Sequence, residues 1–461
     1  MASVFIGHLL LSFTILYHHE PWRDELQSLS ILKSSSNIYE LYANKFYETH
    51  PYLYFLFIYG FLKLFSFSLI SFKLLHWFIA ELLAFLILFK MPFSKVYSIF
   101  FLFSYFLLYE YNVISRNYSI GILLAVLAFT LKNKSGFLFW ILLLASAESN
   151  ICSWIICASF YIVAAFGNIK SFKINHFSKH ILILGFLILF LLDTLPGSPS
   201  AINGKIPVNL RNFSLGFCKI SDAFLPAPIW QREFWETSYF GSIYLKFTLS
   251  ILVMVFTIAS LLKTRWALIF WLLVTFLFFI FFGFIHVGSL RHHGFLLVGY
   301  FISVLIASFE SPSYFTFSNV RLVKPFMIVV ICFQLYASFV SCYFDFLFPF
   351  TRSNDVAVWL KKYYPNNTLI GLTDTHVSPI SFYLNKPLFS LDAQRYCTFV
   401  KWDNLRNKYQ NRLSMIGNFH FMPGSLLISD TKMNILPGFI LLNSFDGSIV
   451  SSENYYLYLK Q

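Results

Sequence analysis

Residues 3–25 read SVFIGHLLLSFTILYHHEPWRDE: an apolar run at 3–17 passes directly into His18-His19-Glu20-Pro21-Trp22-Arg23-Asp24-Glu25. The run is nearly long enough to cross a bilayer, and ionisable groups crowded against its end are costly unless they work on something in the headgroup layer. It has no basic leader, and Ser12 to Pro21 offers no small-residue cleavage site. It therefore reads as an uncleaved first span rather than a signal peptide.

The remaining sequence is of the same kind. The 461 residues are 57% apolar, 21% aromatic and only 12% charged, with mean hydropathy +0.66. Soluble domains carry roughly 25% charge, so the composition implies a polytopic membrane protein. The net charge of +13 falls largely in short loops between apolar runs, which is how positive-inside signals look and which argues against nucleic-acid binding. Cys152, Cys157, Cys218, Cys332, Cys342 and Cys397 form no CxxC pair, so neither a metal knuckle nor a disulfide framework is indicated.

Crossing runs are expected at about 3–17, 71–89, 96–111, 118–131, 137–148, 151–166, 180–195, 240–262, 266–284, 294–309 and 325–343. Lys90/Lys95, Lys132/Lys134, Lys170/Lys173/Lys179, Lys263/Arg265 and Arg321/Lys324 mark the cytoplasmic connections. Tracing back from them, the start of 71–89 faces outward, and so does the acid-rich loop 18–50. Both hold only if the apolar segment 51–66 does not cross. It is read as a helix in the outer interface, with Tyr52, Tyr54, Tyr59 and Lys63 suited to that depth; an ordinary crossing is the alternative. The expectation is about eleven spans (residues 1–350), N-terminus inside and C-terminus outside.

From residue 351 the composition turns more polar. Strand-like runs at Thr368–Leu372, Ser425–Ile428, Gly438–Leu442 and Tyr455–Tyr458 alternate with helical ones at Asp355–Tyr363 and Ser378–Leu384, predicting a small α/β domain over 351–461 on the outer face. The outer segment 196–239 contains Pro196, Pro199, Pro207, Pro226 and Pro228 and is expected to be mostly loop.

This topology gathers the unusual polar residues on one face. The first loop brings Asp24, Glu25 and His50; the second turn brings Glu110, Arg116 and Tyr118; a third brings Glu148; the last brings His286, Arg291, His292 and His293. Carboxylates beside cations at headgroup depth suit transfer from a lipid phosphate, with one acid taking the attacking proton and the cations neutralising the departing phosphate. Asp24-Glu25 stands out because the run Leu26, Leu29, Ile31 and Leu32 after it fits a short amphipathic helix on the membrane. The bland reading of any one loop acid is plain solvation, and Arg116 serves equally as a headgroup anchor. His292 and His293 are adjacent and cannot share a helix face, which argues against a metal pair. His76 and Glu81 lie inside the second span as a buried polar pair or as part of a substrate path.

Three stretches carry a family resemblance: Arg23-Asp24-Glu25-Leu26-Gln27-Ser28-Leu29, His50-Pro51-Tyr52-Leu53-Tyr54, and Glu110-Tyr111-Asn112-Val113-Ile114-Ser115-Arg116-Asn117-Tyr118. Together they resemble the GT-C superfamily of polyprenyl-phosphate-sugar-dependent glycosyltransferases, in particular the bacterial relatives of protein O-mannosyltransferases and the lipid A aminoarabinose transferase. The resemblance covers the chain to about residue 135 by motif and the rest by layout. It implies a GT-C-like fold with interfacial helices in the first outer loop and a capping outer domain. It also implies an inner-membrane hexosyl- or pentosyltransferase acting at the periplasmic face, with membrane lipids around it. The donor would be a polyprenyl-phosphate-linked sugar and the acceptor a glycan, lipid or protein. By position, Asp24 looks like the catalytic base with Glu25 beside it, and Glu110 like the second-loop acid; Arg116 and Tyr118 match the arginine and tyrosine that follow. The usual double proline is Pro51-Tyr52 here, and no counterpart of the relatives' acidic metal site is found. No cofactor is therefore expected, and a divalent cation is left open. A polyprenyl-linked glycan flippase or polymerase-like carrier is the alternative, and a sensor domain on an inert anchor is a weaker one.

Overall fold

The first helix, α1 (Ala2–His18), ends at the charged cluster, and the chain bends by 81° into α2 (Arg23–Lys33). The bend is built by the residues after it. Glu25, third in α2, accepts the Trp22 backbone N–H at 3.2 Å, and Asp24 and Glu25 place negative charge at the positive end of the helix dipole. The computed structural model describes residues 1–48, 50–131, 136–166, 184–185, 188, 210–311, 323–403, 406, 411–434 and 436–461.

Two short helices, α3 (Ile38–Lys45) and α4 (Tyr52–Leu64), follow, so the segment read at 51–66 is one separate helix. Then come α5 (Leu69–Phe89), α6 (Lys95–Leu102), a π-helical turn (Tyr105–Glu110), α7 (Tyr118–Leu131), α8 (Gly136–Ala147) and α9 (Ile151–Phe166). The run expected at 96–111 is thus broken at Phe103-Ser104. The run at 180–195 lies outside the described residues. Next are α10 (Leu210–Phe224), α11 (Ile243–Leu261), α12 (Arg265–Ile280) with a π-helical extension (Phe281–Ile285), α13 (Leu290–Glu310) and α14 (Val323–Leu347).

Among the described residues, five helices are long and apolar enough to cross a membrane: α5, α11, α12 with its extension, α13 and α14. The number rises to six if α1 and α2 are one broken span. Large apolar side chains such as Ile70, Phe78, Tyr244, Phe276, Ile328 and Phe339 stay exposed on these helices, as lipid-facing surfaces require. The chain is a multi-pass membrane protein.

Of the segment 196–239, expected to be mostly loop, 196–209 lie outside the described residues and 225–239 are irregular as expected, but 210–224 are not. Leu210–Phe224 is helical and packs on α11, α13 and α12. The prolines that suggested loop lie on either side of it, and its apolar positions recur at helical spacing.

Residues 351–461 form a mixed six-stranded sheet, ordered β3-β2-β1-β4-β6-β5. The strands are β1 (Leu369–Gly371), β2 (Leu388–Ser390), β3 (Arg395–Cys397), β4 (Leu426–Ser429), β5 (Phe439–Phe445) and β6 (Tyr455–Lys460). β1 runs parallel to both β2 and β4, is fully buried, and separates one core around Val356, Val377 and Leu457 from another around Leu391, Leu427 and Tyr458. Flanking helices are α15 (Ser353–Tyr363), α16 (Asp374–Leu384) and α17 (Arg412–Gly417).

The sheet domain is not a loose appendage. α16 packs on α2, and the Gln27 amide forms two 2.8 Å hydrogen bonds with the backbone of Val400. Phe350, Phe399 and Ile449 belong to the same apolar core as the helical region. This explains why α2 is buried almost all round: Leu29, Ile31 and Leu32 join the helical core, and Leu26, Gln27, Ser28 and Ser30 are covered as well. Burying each of the four aliphatic side chains contributes about 1.5–3 kcal/mol relative to exposure.

Candidate functional site

A cavity of about 540 Å³ lies where α2, the N-terminal end of α13, the loop at 231–237 and the sheet domain meet. Its wall includes Trp22, Arg23 and Asp24 from the bend after α1, His286, Ser289, Arg291 and His292 around the start of α13, and Ile449–Ser452 from the sheet domain. Volume and mixed polar–aromatic lining suit a small polar ligand with an apolar attachment.

Asp24 is the site's central carboxylate. Its side chain is 31% exposed, and its Oδ2 accepts Arg291 Nη2 at 3.2 Å. Arg116 donates to its backbone carbonyl, which fixes the start of α2 against the 111–117 loop. Arg291 is held from several sides. Tyr111 donates to its carbonyl at 2.7 Å, its guanidinium lies 4.9 Å over the Trp22 ring, and its Nη1 donates to Glu236 at 3.4 Å.

The helix begins earlier than the apolar run suggested, at Leu290 rather than 294, so Arg291, His292 and His293 occupy its first turn. A helix N-terminus carries partial positive charge, so Arg291 adds its cation to an end that already attracts anions. His292 accepts the Ser289 N–H at Nδ1 (3.0 Å), which leaves its proton on Nε2 to donate to Tyr118 Oη at 3.1 Å. His293 faces a different way, into a neighbouring cavity with Lys219, Asp222 and Lys246, its Nδ1 3.5 Å from Asp222. Two elements bring α13 this close. Gly288 adopts a positive φ of 70° in the turn before the helix, and Gly294 leaves no room for a side chain, since a Cβ there would lie 2.3 Å from Phe106.

The remaining candidates surround the cavity without lining it. Glu25 is fully buried, with Oε1 accepting Ser115 N–H at 2.6 Å and Oε2 facing His19 Nε2 at 2.9 Å. His19 Nδ1 meets Asp345 at 2.8 Å, so a buried Glu25–His19–Asp345 chain ties the bend to α14. Burial alone would depress His19, but Asp345 and Glu25 outweigh it and raise its pKa to about 9. Glu25 therefore anchors the loop that presents Asp24. Glu110 is buried and accepts the Tyr105 hydroxyl at one oxygen, while the other has no hydrogen-bond partner. His50 accepts from Arg116 at Nε2 (3.2 Å), and burial followed by the Arg116 charge holds its pKa well below the usual value. Tyr118 packs near the Arg116 guanidinium, 6.0 Å from ring centre to charge.

His76 and Glu81 are not a pair. His76 donates to Phe72 O at 2.8 Å and accepts Tyr54 Oη at 3.0 Å, whereas Glu81 accepts from Ser12 and Asn112, each at 2.7 Å, with His8 at 3.1 Å. They lie five positions apart on α5, which turns their side chains to different sides. Among the described residues, no group of three or more His, Cys, Asp or Glu is arranged to hold a metal ion.

Several cavity residues were not singled out from sequence: Gln231, Glu233, Trp235, Glu236, Ser289 and Ser451. Glu236 has a φ of 59°, a backbone conformation that costs a non-glycine residue about 1–3 kcal/mol and tends to mark functional sites. Trp235 packs edge-on against Trp22, ring centres 4.7 Å apart. Glu453 accepts the Arg23 backbone N–H at 3.1 Å, and burial raises its pKa to about 7 despite the nearby Arg23 charge.

The chain matches no family model, no curated protein and no solved structure.

Proposed function

We propose that the protein is an inverting glycosyltransferase that moves a sugar from a polyprenyl-phosphate donor to an acceptor hydroxyl at the outer face of the membrane. The supporting observation is the cavity in which a partly exposed carboxylate, Asp24, sits 3.2 Å from Arg291 at the N-terminal end of an apolar helix. Asp24 takes the acceptor's hydroxyl proton as that oxygen bonds to the anomeric carbon. The bond from that carbon to the phosphate oxygen breaks on the opposite face, and its electron pair leaves with the polyprenyl phosphate. Arg291 and the α13 N-terminus offset the charge that develops there, with His292 on the cavity wall beside them. Arg116, His50 and Tyr118 hold the loop and His292 in position, and Glu110 shapes the wall behind them. The sheet domain contributes the Ile449–Ser452 rim on the acceptor side.

The fuller topology belongs to the same reading: about eleven spans, with α2 to α4 lying in the outer interface of a bacterial inner membrane and the sheet domain periplasmic. The 81° bend after α1, which turns α2 away from the direction of the first helix, supports it. A cysteine at Ser68 should react with an impermeant reagent from the outside; labelling only from the cytoplasm would restore Tyr52–Leu64 as a span.

The chemistry is tested with reconstituted protein and a panel of polyprenyl-phosphate sugars. Asp24→Asn should fold and keep donor binding while transfer falls by about 10²–10⁴-fold, the usual contribution of a general base. Unchanged turnover would remove the assignment, and glycan transport without a new glycosidic bond would point to a carrier.

A further inference from the structure

Glu236 is an unexpected residue at its position. It is the third residue of a turn closed by Thr237 N–H to Phe234 O at 3.1 Å, and its φ is 59°. Glycine or asparagine ordinarily fills a turn position with positive φ, because a larger side chain there strains the backbone. The other two non-glycine residues with positive φ have local explanations: Asn385 caps the C-terminus of α16, and Gln394 turns the chain between β2 and β3. Glu236 also turns the chain, and its side chain in addition reaches the cavity walls. The carboxylate is 51% exposed, lies on the wall shared by the two adjacent cavities, and accepts Arg291 Nη1 at 3.4 Å.

We propose that Glu236 is a positioning residue that shares Arg291 with Asp24, so that an entering phosphate monoester takes the guanidinium and leaves Asp24 free to act as base. The inference rests on the transferase reading of the cavity. Arg291 is only 11% exposed, yet both of its terminal nitrogens are engaged by carboxylates on its open side. Ion pairs of this partly solvated kind exchange readily. A phosphate can engage the planar guanidinium fork through two parallel hydrogen bonds, a stronger arrangement than either single contact. The residue's backbone stays fixed by Tyr111 while the side chain pivots over the Trp22 ring. While paired, Asp24 Oδ2 is occupied by the Arg291 hydrogen bond at 3.2 Å. Once the phosphate takes the guanidinium, that oxygen is free to accept the acceptor hydroxyl's proton. The donor would thus load first and activate the base, and Glu236 keeps Arg291 at the cavity mouth beforehand.

The test uses the full-length protein in lipid nanodiscs, titrated with polyprenyl monophosphate and, separately, with inorganic phosphate. Glu236→Gln should bind the lipid phosphate about two- to fivefold more tightly, the range expected for freeing a partly exposed ion pair, and its thermal midpoint should stay near that of the unaltered protein. Glu236→Gly, which relaxes the backbone, should tighten binding to the same extent and serves if Glu236→Gln misfolds. In an Arg291→Gln background the gain should vanish. If it persists there, the effect is through-space repulsion and the sharing of Arg291 is overturned; unchanged affinity in both Glu236 variants overturns it as well. Equal tightening toward inorganic phosphate assigns the shared chemistry to the headgroup alone, and tightening only toward the lipid adds the chain to what is recognised. Failure of the unaltered protein to bind either phosphate removes the transferase reading itself, and this inference with it.

Discussion

Substituting His19 by asparagine should make the protein markedly less stable at neutral pH and erase much of its stability loss in mild alkali. His19 is fully buried between Glu25 at 2.9 Å and Asp345 at 2.8 Å, and its pKa is raised from 6.5 to about 9. For a group whose folded pKa is raised, the stabilisation is complete below the unfolded value and disappears as pH rises through the folded one. Here it is fully present below about pH 6.5 and lost by about pH 9, and the difference corresponds to about 3 kcal/mol. Glu20 and Glu453, each raised by burial to about 7, erode stability over a lower window starting near 4.5, and the variant shares that loss. Removing the imidazole leaves Glu25 and Asp345 without their common cation, a change that costs about 3–5 kcal/mol in buried pairs. Apparent unfolding midpoints in detergent, followed by tryptophan fluorescence from pH 6 to 10, should therefore show a wide gap at pH 6 that narrows above pH 9. A gap of constant width across that range would refute a protonated His19 bridging the two carboxylates.

Other perturbations separate local causes. Gly294→Ala should destabilise by about 1–3 kcal/mol, because its Cβ would fall 2.3 Å from Phe106, whereas Gly60→Ala, with nothing within 4 Å, should be neutral or stabilising by about 0.4–1 kcal/mol; the same thermal assay compares them. Gln27→Ala removes both hydrogen bonds to Val400 and should cost about 1–3 kcal/mol, seen as faster amide exchange at 398–400. His50, neutral and accepting from Arg116, should show no titration between pH 6 and 8 in ring-carbon NMR; its depressed pKa means that its contribution to stability is present above pH 6.5 and lost only on acidification.

Apolar run length and loop charge made most of the helical region legible, and run boundaries near 71–89, 118–131 and 151–166 agree with α5, α7 and α9 within two residues. The break at Ser104 left no trace in the sequence, because an apolar run reads the same whether its backbone is α-helical or π-helical. α16 begins at Asp374, four residues before the stretch that looked helical, because Pro379 is tolerated inside it where a proline ordinarily marks a first turn. β2 and β3, three residues each, are too short for alternation to show. At the cavity, Asp24 could be picked out by its position after a span. Its contact with Arg291, 267 residues away, is tertiary, and so is the turn that makes Glu236 unusual.

The hydrogen bond from Arg23 to Glu453 joins residues 430 apart, and the rim at Ile449–Ser452 closes the same cavity. The cavity therefore cannot close until residues 449–453 have been made and have docked against the start of the chain. Until then the bend after the first helix lacks the Glu453 contact that braces it. Assembly of this wall couples the earliest helix to the sheet across nearly the whole sequence.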